Sequence, residues 1–230
     1  MFYTHQVSKI SHYTYQETGK NLVHSNFLHS LLLDHSGNVW VGSEFAGVTL
    51  LSVLSEGSYR IYPEHESIND YVNAIRTVVK MPDGGFWFGT RQGNVYAYDK
   101  NLEAASCYKM PYNYIYAASC DGDGKLWLGT RTMGLCIDGR WYHKMAGDTL
   151  SLAHENIFDI YRDDKNRMWI GTFGGGLNLA VSRKDRYVFR KFLTGSGRLQ
   201  EVRMITQDNK KRLWVGTNKG LCVFYGDSII

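Results

Sequence analysis

Apolar and polar residues along this chain alternate on two length scales. On the short scale, runs of five or six residues rich in Leu, Ile and Val (28–33, 75–79, 115–119, 157–161 and 202–206) are bounded by polar clusters. Such runs predict strands; a helix needs about ten residues or more with a 3.6-residue stripe, and the chain has no amphipathic stretch of that kind. A polar turn follows each run: Asp34-His35-Ser36-Gly37, Asp83-Gly84-Gly85, Asp121-Gly122-Asp123-Gly124, Asp163-Asp164-Lys165-Asn166 and Asp208-Asn209-Lys210-Lys211. Asp bonds its own turn backbone, and Gly or Asn accepts the positive φ of a tight hairpin; Lys211 at the glycine place fits least well. A second apolar run then carries a tryptophan: Trp40-Val41-Gly42-Ser43, Trp87-Phe88-Gly89-Thr90, Trp127-Leu128-Gly129-Thr130, Trp169-Ile170-Gly171-Thr172 and Trp214-Val215-Gly216-Thr217. A small-residue loop ending in Gly47, Gly93, Gly134, Gly176 or Gly220 leads to a third run. A fourth alternates aromatic and charged residues, as in Tyr59-Arg60-Ile61-Tyr62 and Arg140-Trp141-Tyr142-His143-Lys144, the pattern of a half-exposed edge strand.

On the long scale, these five tryptophans stand 47, 40, 42 and 45 residues apart, which is the period of a propeller blade. The sixth, Trp141, is out of phase and falls on an outer strand. A lone four-stranded meander cannot bury both of its faces. Stacked blades can, with the indole rings as filler burying about 200 Å² each. The predicted fold is therefore all-β: a single β-propeller over 1–230, with five repeats of four-stranded antiparallel blades, either a closed five-bladed ring or part of a larger propeller. Blade cores are expected around 28–62, 75–108, 115–145, 157–192 and 202–225. Residues 8–15 read as a fourth strand with no blade before it, and the last repeat is expected to stop after its third strand, 220–225. Segment 8–15 would then be the outer strand of the last blade or of a preceding one, and open strand edges would take another copy or further chain.

Composition narrows the class. The 230 residues are 43% hydrophobic, 21% charged and 14% aromatic, which excludes a disordered tail. No apolar run is long enough to span a bilayer, and the first residues lack the basic and apolar regions of a signal peptide. A net charge of +4 suits an anionic ligand, but no block of five like charges marks a nucleic-acid arm. Cys107, Cys120, Cys136 and Cys222 form no CxxC pair, so neither a zinc site nor a disulfide framework is expected. Cys136 and Cys222 share the context Gly-Leu-Cys and read as core positions.

The pattern D-x-x-G-x-apolar-W-apolar-G-T-x-x-x-G-apolar is clearest over 34–48, 121–135 and 163–177. It resembles the two-component regulator propeller repeat, and the leader Asp148-Thr149-Leu150-Ser151-Leu152 is similar to that family's linker. The resemblance extends over about 7–225 of the chain. It implies the periplasmic sensor of a hybrid two-component system, detecting an oligosaccharide and signalling through a further β-domain and a membrane helix to a histidine kinase. The chain shows no kinase motif and no membrane helix, so the expected role is at most the sensor portion, with the remainder of a sensor kinase chain as partner.

Catalytic and metal signatures are weak. Asp121-Gly122-Asp123-Gly124 opens like a calcium loop, but Thr132 stands where the twelfth-position Glu is required. Gly174-Gly175-Gly176 is followed by no Lys-Ser/Thr, His154-Glu155 lacks the second histidine of a zinc protease, and no G-x-S-x-G elbow occurs. Glu44, Glu155, Asp159 and Glu201 are the carboxylates from which a glycosidase pair could be drawn. No cofactor, metal or catalytic residue is expected. A binding face can be argued from topology: the Asp turns are uniform and structural, so variable positions at the opposite end of the blades are free for recognition. Aligned on the tryptophans, one such column is His29, Arg76, Tyr116, Phe158 and Arg203, and a second is Glu44, Arg91, Arg131, Phe173 and Asn218. Aromatic rings stack on sugar faces and Arg grips carboxylates. With four Arg against one acid in these columns, the expected ligand is an anionic or partly anionic oligosaccharide. The alternatives are a structural or protein-interaction propeller and, third, a propeller glycosidase or lyase.

Overall fold

The computed structural model describes residues 14–15, 23–52, 58–64, 71–111, 114–194, 200–225 and 228–229. Five four-stranded antiparallel sheets follow one another as a five-bladed β-propeller, with chain order kept from the inner to the outer strand of each blade. Blade 1 comprises β1 (Leu28–Leu33), β2 (Val39–Ser43), β3 (Val48–Leu51) and β4 (Ser58–Ile61). Blade 2 comprises β5 (Ile75–Lys80), β6 (Phe86–Thr90), β7 (Asn94–Tyr98) and β8 (Ala104–Lys109). Blade 3 comprises β9 (Ile115–Cys120), β10 (Leu126–Thr130), β11 (Leu135–Ile137) and β12 (Arg140–Tyr142). Blade 4 comprises β13 (Ile157–Arg162), β14 (Met168–Thr172), β15 (Leu177–Arg183) and β16 (Arg186–Phe192). Blade 5 comprises β17 (Val202–Gln207), β18 (Arg212–Thr217), β19 (Gly220–Tyr225) and β20 (Ser228–Ile229). A three-residue 3-10 turn, Tyr71–Asn73, is the one helical element among the described residues. Inner strands pack in succession, β1 on β5, β5 on β9, β9 on β13 and β13 on β17.

The Asp turns hold each first hairpin and each tryptophan at once. Asp163 Oδ1 accepts from the backbone N–H of Lys165 and Arg167, at 3.0 and 2.9 Å, while Oδ2 accepts from Trp169 Nε1 at 2.9 Å. Asp34, Asp121 and Asp208 repeat the arrangement with Trp40, Trp127 and Trp214. Blade 2 departs from it. Six residues before Trp87 stands Met81, whose backbone closes the turn through bonds to Gly84 and Gly85, so Asp83 lies two places later than the repeat aspartate and accepts from the backbone N–H of Gly85. Trp87 then lies partly open and stacks on Tyr108 at 5.5 Å.

The glycine two residues after each tryptophan has a packing reason. A Cβ at Gly42, Gly89, Gly129 or Gly171 would come within 3.0 Å of an atom of Ile75, Ile115, Ile157 or Val202, the first-strand aliphatic residue of the following blade, and at Gly42 and Gly89 it would also crowd Ser30 and Thr77 of its own blade. Trp127 fills the same joint from beside the glycine, among Ile157, Ile160, Met168 and Tyr187, and Trp169 does so among Val202, Ile205 and Leu213. Glycine at this place lets neighbouring sheets approach closely enough for the indole rings to be buried.

The expectation about the last repeat needs correction. The last blade has its own short fourth strand, β20, paired to β19 through Phe224–Ile229 and Tyr225–Ser228. Of segment 8–15, residues 8–13 lie outside the described residues; Tyr15 bonds Asn26 beside blade 1, its backbone N–H donating to Asn26 Oδ1 at 2.7 Å. The cysteines are all free, with Cys120, Cys136 and Cys222 buried and Cys107 exposed.

Candidate functional site

Each first strand carries a register shift at one residue, and that residue is always a member of the first variable column. Partners skip His29 in β1, Arg76 in β5, Tyr116 in β9, Phe158 in β13 and Arg203 in β17. A bulge turns the extra side chain away from the pleat alternation. It thus presents five unlike side chains at one end of the blades without disturbing the aliphatic packing beneath. The second column is anchored equally regularly. The backbone N–H groups of Glu44, Arg91, Arg131, Phe173 and Asn218 donate to the carbonyls of Phe27, Ala74, Tyr114, Asn156 and Glu201, at 2.8–3.2 Å. Both columns therefore meet along one rim, at the end of the molecule remote from the Asp turns.

The rim is a continuous series of polar and ring contacts. Glu44 is its buried anion: Arg91 Nη1 donates to Oε1 at 2.5 Å, and Arg76 Nη2 lies 3.2 Å from Oε2, which also accepts from His29 Nε2. His29 Nδ1 accepts from Arg76 Nη1 at 3.0 Å, so the ring hydrogen facing Glu44 sits on Nε2. Burial pushes the Glu44 carboxyl up, but His29, Arg76 and Arg91 more than offset this and hold it below the ordinary glutamate range. Arg76 also stands over the Tyr116 ring at 5.6 Å. Tyr116, Phe158 and Phe173 follow at centroid separations of 5.1 and 5.3 Å. Arg203 lies 4.5 Å from the Phe158 centroid and 4.6 Å from that of Phe173, and its Nε donates to Asn218 Oδ1 at 2.8 Å. Asn218 in turn donates to Glu201 Oε2 at 2.5 Å.

All ten sequence-predicted residues thus meet on one surface, but the arginines are not equivalent. Arg76 and Arg91 are engaged with Glu44, and Arg203 with two rings and an amide. Arg131 is exposed, with its guanidinium 5.9 Å from the Tyr114 centroid. Tyr114 was missed by sequence alignment because it lies two residues before the variable column. It is placed by φ of 75° and by its N–H donating to Arg91 O at 2.8 Å, and it carries both Arg91 and Arg131 over its ring. Glu201 was likewise missed as a rim residue. The calcium-like turn is used internally: Asp121 accepts from Asp123, Lys125 and Trp127. Among the described residues no cluster of three metal-ligating side chains occurs.

A second concavity lies between blades 2 and 3. It encloses about 430 Å³ and is lined by Trp87, Val95, Tyr108, Met110, Leu126, Leu128, Cys136 and Trp141. Its walls include Trp87, from the blade whose turn aspartate is displaced, and Cys136 and Trp141 from the three-residue strands β11 and β12.

The sequence model of the two component regulator propeller matches residues 109–132, 151–174 and 196–219, each stretch running through the first two strands of blades 3, 4 and 5. Three of the five blades thus carry a recognisable two-component regulator propeller repeat. A histidine kinase P4 of Formosa agariphila is 23% identical over 197 residues, covering 79% of this chain and 14% of that protein. The extracellular domain of the hybrid two-component system BT3049 from B. thetaiotaomicron superposes with a TM-score of 0.70 and 24% identity, over 88% of this chain and 28% of that one. Virginiamycin B lyase from Staphylococcus aureus shares the fold at a TM-score of 0.66 and 13% identity, over 89% of this chain and 69% of that one. The repeats thus span a minor part of the sensor chains they resemble. Among the described residues no helix is long and apolar enough to cross a membrane.

Proposed function

We propose that this propeller is a non-enzymatic, periplasmic ligand-binding module of a two-component sensor, and that its rim of bulge residues recognises an oligosaccharide carrying acidic groups. The observation that supports this reading most is the register shift shared by all five first strands, which delivers only rim residues to one surface. Four stacked or neighbouring rings, Tyr114, Tyr116, Phe158 and Phe173, offer faces for sugar C–H groups. Arg131 is the cation best placed to meet a carboxylate. Arg76 Nε is buried with no acceptor, a donor whose isolation costs about 1–3 kcal/mol and which the cluster retains all the same. The charge balance is smaller than the columns alone indicated, because Glu201 joins Glu44 in the rim against four Arg.

Titration calorimetry with neutral and uronate-containing oligosaccharides tests the reading. Binding of the acidic series is expected, weakened by salt and by Arg131→Ala about 10-fold or more, the worth of one charge-assisted bond. Lys165→Ala and Lys210→Ala, in turns at the opposite end, should leave affinity unchanged. Binding of no glycan, or sensitivity to the turn lysines alone, would overturn it and favour a protein-interaction propeller. Turnover of a bound glycan would favour a glycosidase or lyase.

A further inference from the structure

In three of the joints between successive blades, a ring of the following blade packs on the repeat tryptophan. Phe86 meets Trp40 at 4.0 Å between centroids, Tyr187 meets Trp127 at 4.8 Å, and Phe224 meets Trp169 at 6.4 Å. The joint between blades 2 and 3 differs. The ring stacked on Trp87 is Tyr108 of its own blade, and among the described residues no ring of blade 3 packs on it.

Smaller side chains stand on the facing strands of blade 3. Leu126 and Leu128 flank Trp127 where Phe86 and Phe88 flank Trp87. Asp138, whose N–H donates to Leu126 O at 2.9 Å, stands where Tyr98 pairs with Phe86 and Phe224 with Leu213. Between the two blades lies the cleft of about 430 Å³, with Trp87, Tyr108 and Trp141 in its walls. Both walls belong to interior blades, each packed between two others through its inner strand. Asp138 is the single charged group of the described lining, and neither Lys nor Arg enters it. Burial raises the pKa of the Cys136 thiol in the cleft wall, and the Asp138 carboxylate raises it further, so the field of this carboxylate reaches inside.

We propose that this cleft binds a small aromatic cation, a flat ring system carrying an ammonium group. The ring takes the part that Phe86, Tyr187 and Phe224 play in the other joints, against the faces of Trp87, Tyr108 and Trp141. The ammonium meets Asp138 at the mouth and is favoured by the electron-rich indole faces beside it. The volume is that of a small-molecule site and holds two fused rings. A carboxylate ligand would face Asp138 with no compensating cation, so the cleft and the rim favour opposite charges. None of the rim residues lines the cleft, and this inference is independent of what the rim binds.

Titration calorimetry tests it with 2-naphthylmethylamine and three counterparts: the neutral 2-naphthylmethanol, the anionic 2-naphthoate and the non-aromatic cyclohexylmethylamine. Saturable one-site binding of the naphthyl amine is expected, with each counterpart at least about 5-fold weaker. Asp138 adopts φ of 47°, which Asn also tolerates, so Asp138→Asn removes the charge and keeps the turn. This variant should weaken the naphthyl amine by about 5-fold and leave the alcohol unchanged. Leu126→Phe supplies a ring at the place of Phe86 and should abolish binding, with dichroism confirming the fold; if it does not fold, Asp138→Asn decides. No saturable binding, equal affinity for the four compounds, unchanged affinity in Asp138→Asn, or binding retained by a folded Leu126→Phe overturns the proposal. Binding by Tyr112→Ala but not by wild type also overturns it, by giving the space to the chain's own Tyr112, which adjoins Pro111 of the cleft wall and lies outside the described residues.

Discussion

Asp159 is a carboxylate placed on an inner strand. Its Oδ2 accepts the backbone N–H of Ile205 at 2.6 Å, tying blade 4 to blade 5, and its Oδ1 accepts that of Ile160. Burial outweighs these two bonds and pushes its pKa from 3.8 to about 6. Between those values the folded chain keeps a proton that the unfolded chain has released, so stability falls as pH rises through the window, by up to about 3 kcal/mol. Asp159→Asn carries no such proton. Relative to wild type, the variant should therefore gain on going from pH 4 to pH 7, whatever fixed cost its altered hydrogen bonding brings; urea midpoints at the two pH values measure it. Glu44 has the opposite sign: its lowered pKa contributes stability at neutral pH that is lost as pH falls through the folded value. Sequence reasoning offered both acids as members of a catalytic pair. Their roles follow from neighbours brought in by other blades, which no local pattern displays.

Within elements, the turn preceding each tryptophan strand needs a residue of positive φ three places before the ring. Gly37, Gly84 and Gly124 supply it freely, and Asn166 tolerates it at 59°. Lys211 adopts φ of 65° there, against the preference of its Cβ. Its ammonium lies 3.2 Å from Asp164, but an exposed pair of this kind is worth little. Lys211→Gly should raise stability by about 0.5–1 kcal/mol, read as a higher urea midpoint at unchanged slope. The misfit was visible in the sequence because turn chemistry is local. The shifted aspartate of blade 2 is equally local, since Asp83 stands four residues before Trp87 where the other turn aspartates stand six before theirs; the shared composition of Asp83-Gly84-Gly85 hides the difference unless the spacing is counted.

At the scale of the whole molecule, stability resides in the joints between blades. Gly129 and Gly216 occupy the same place in their blades, and neither has a positive φ. Gly129→Ala would put its Cβ within 2.7 Å of Ile157 and force blades 3 and 4 apart, at a cost of about 1–3 kcal/mol or more. Gly216→Ala should stay within about 0.5 kcal/mol of wild type in the monomer. Thermal melts of the two variants at low protein concentration make the comparison. Equal losses at both places would show that the glycines serve the strand backbone and not the joint.

The chain's own pattern determined the strands, the five-blade count, the structural role of the Asp turns and tryptophans, and which end of the blades was free to vary. These are periodic or local properties, repeated five times, so each occurrence checks the others. Only the tertiary structure decided which variable residues remain available to a ligand. Arg76 and Arg131 read alike in the alignment, yet one is held by Glu44 from blade 1 and the other is exposed over Tyr114. The same holds for Leu28, which matches Ile75 in sequence: Ile75 is buried under the glycine of blade 1, whereas Leu28 is 43% exposed with no such joint over it among the described residues. A side chain's partners across blades are set by how sheets stack, and one chain's periodicity carries no record of what stands beyond its first and last repeat.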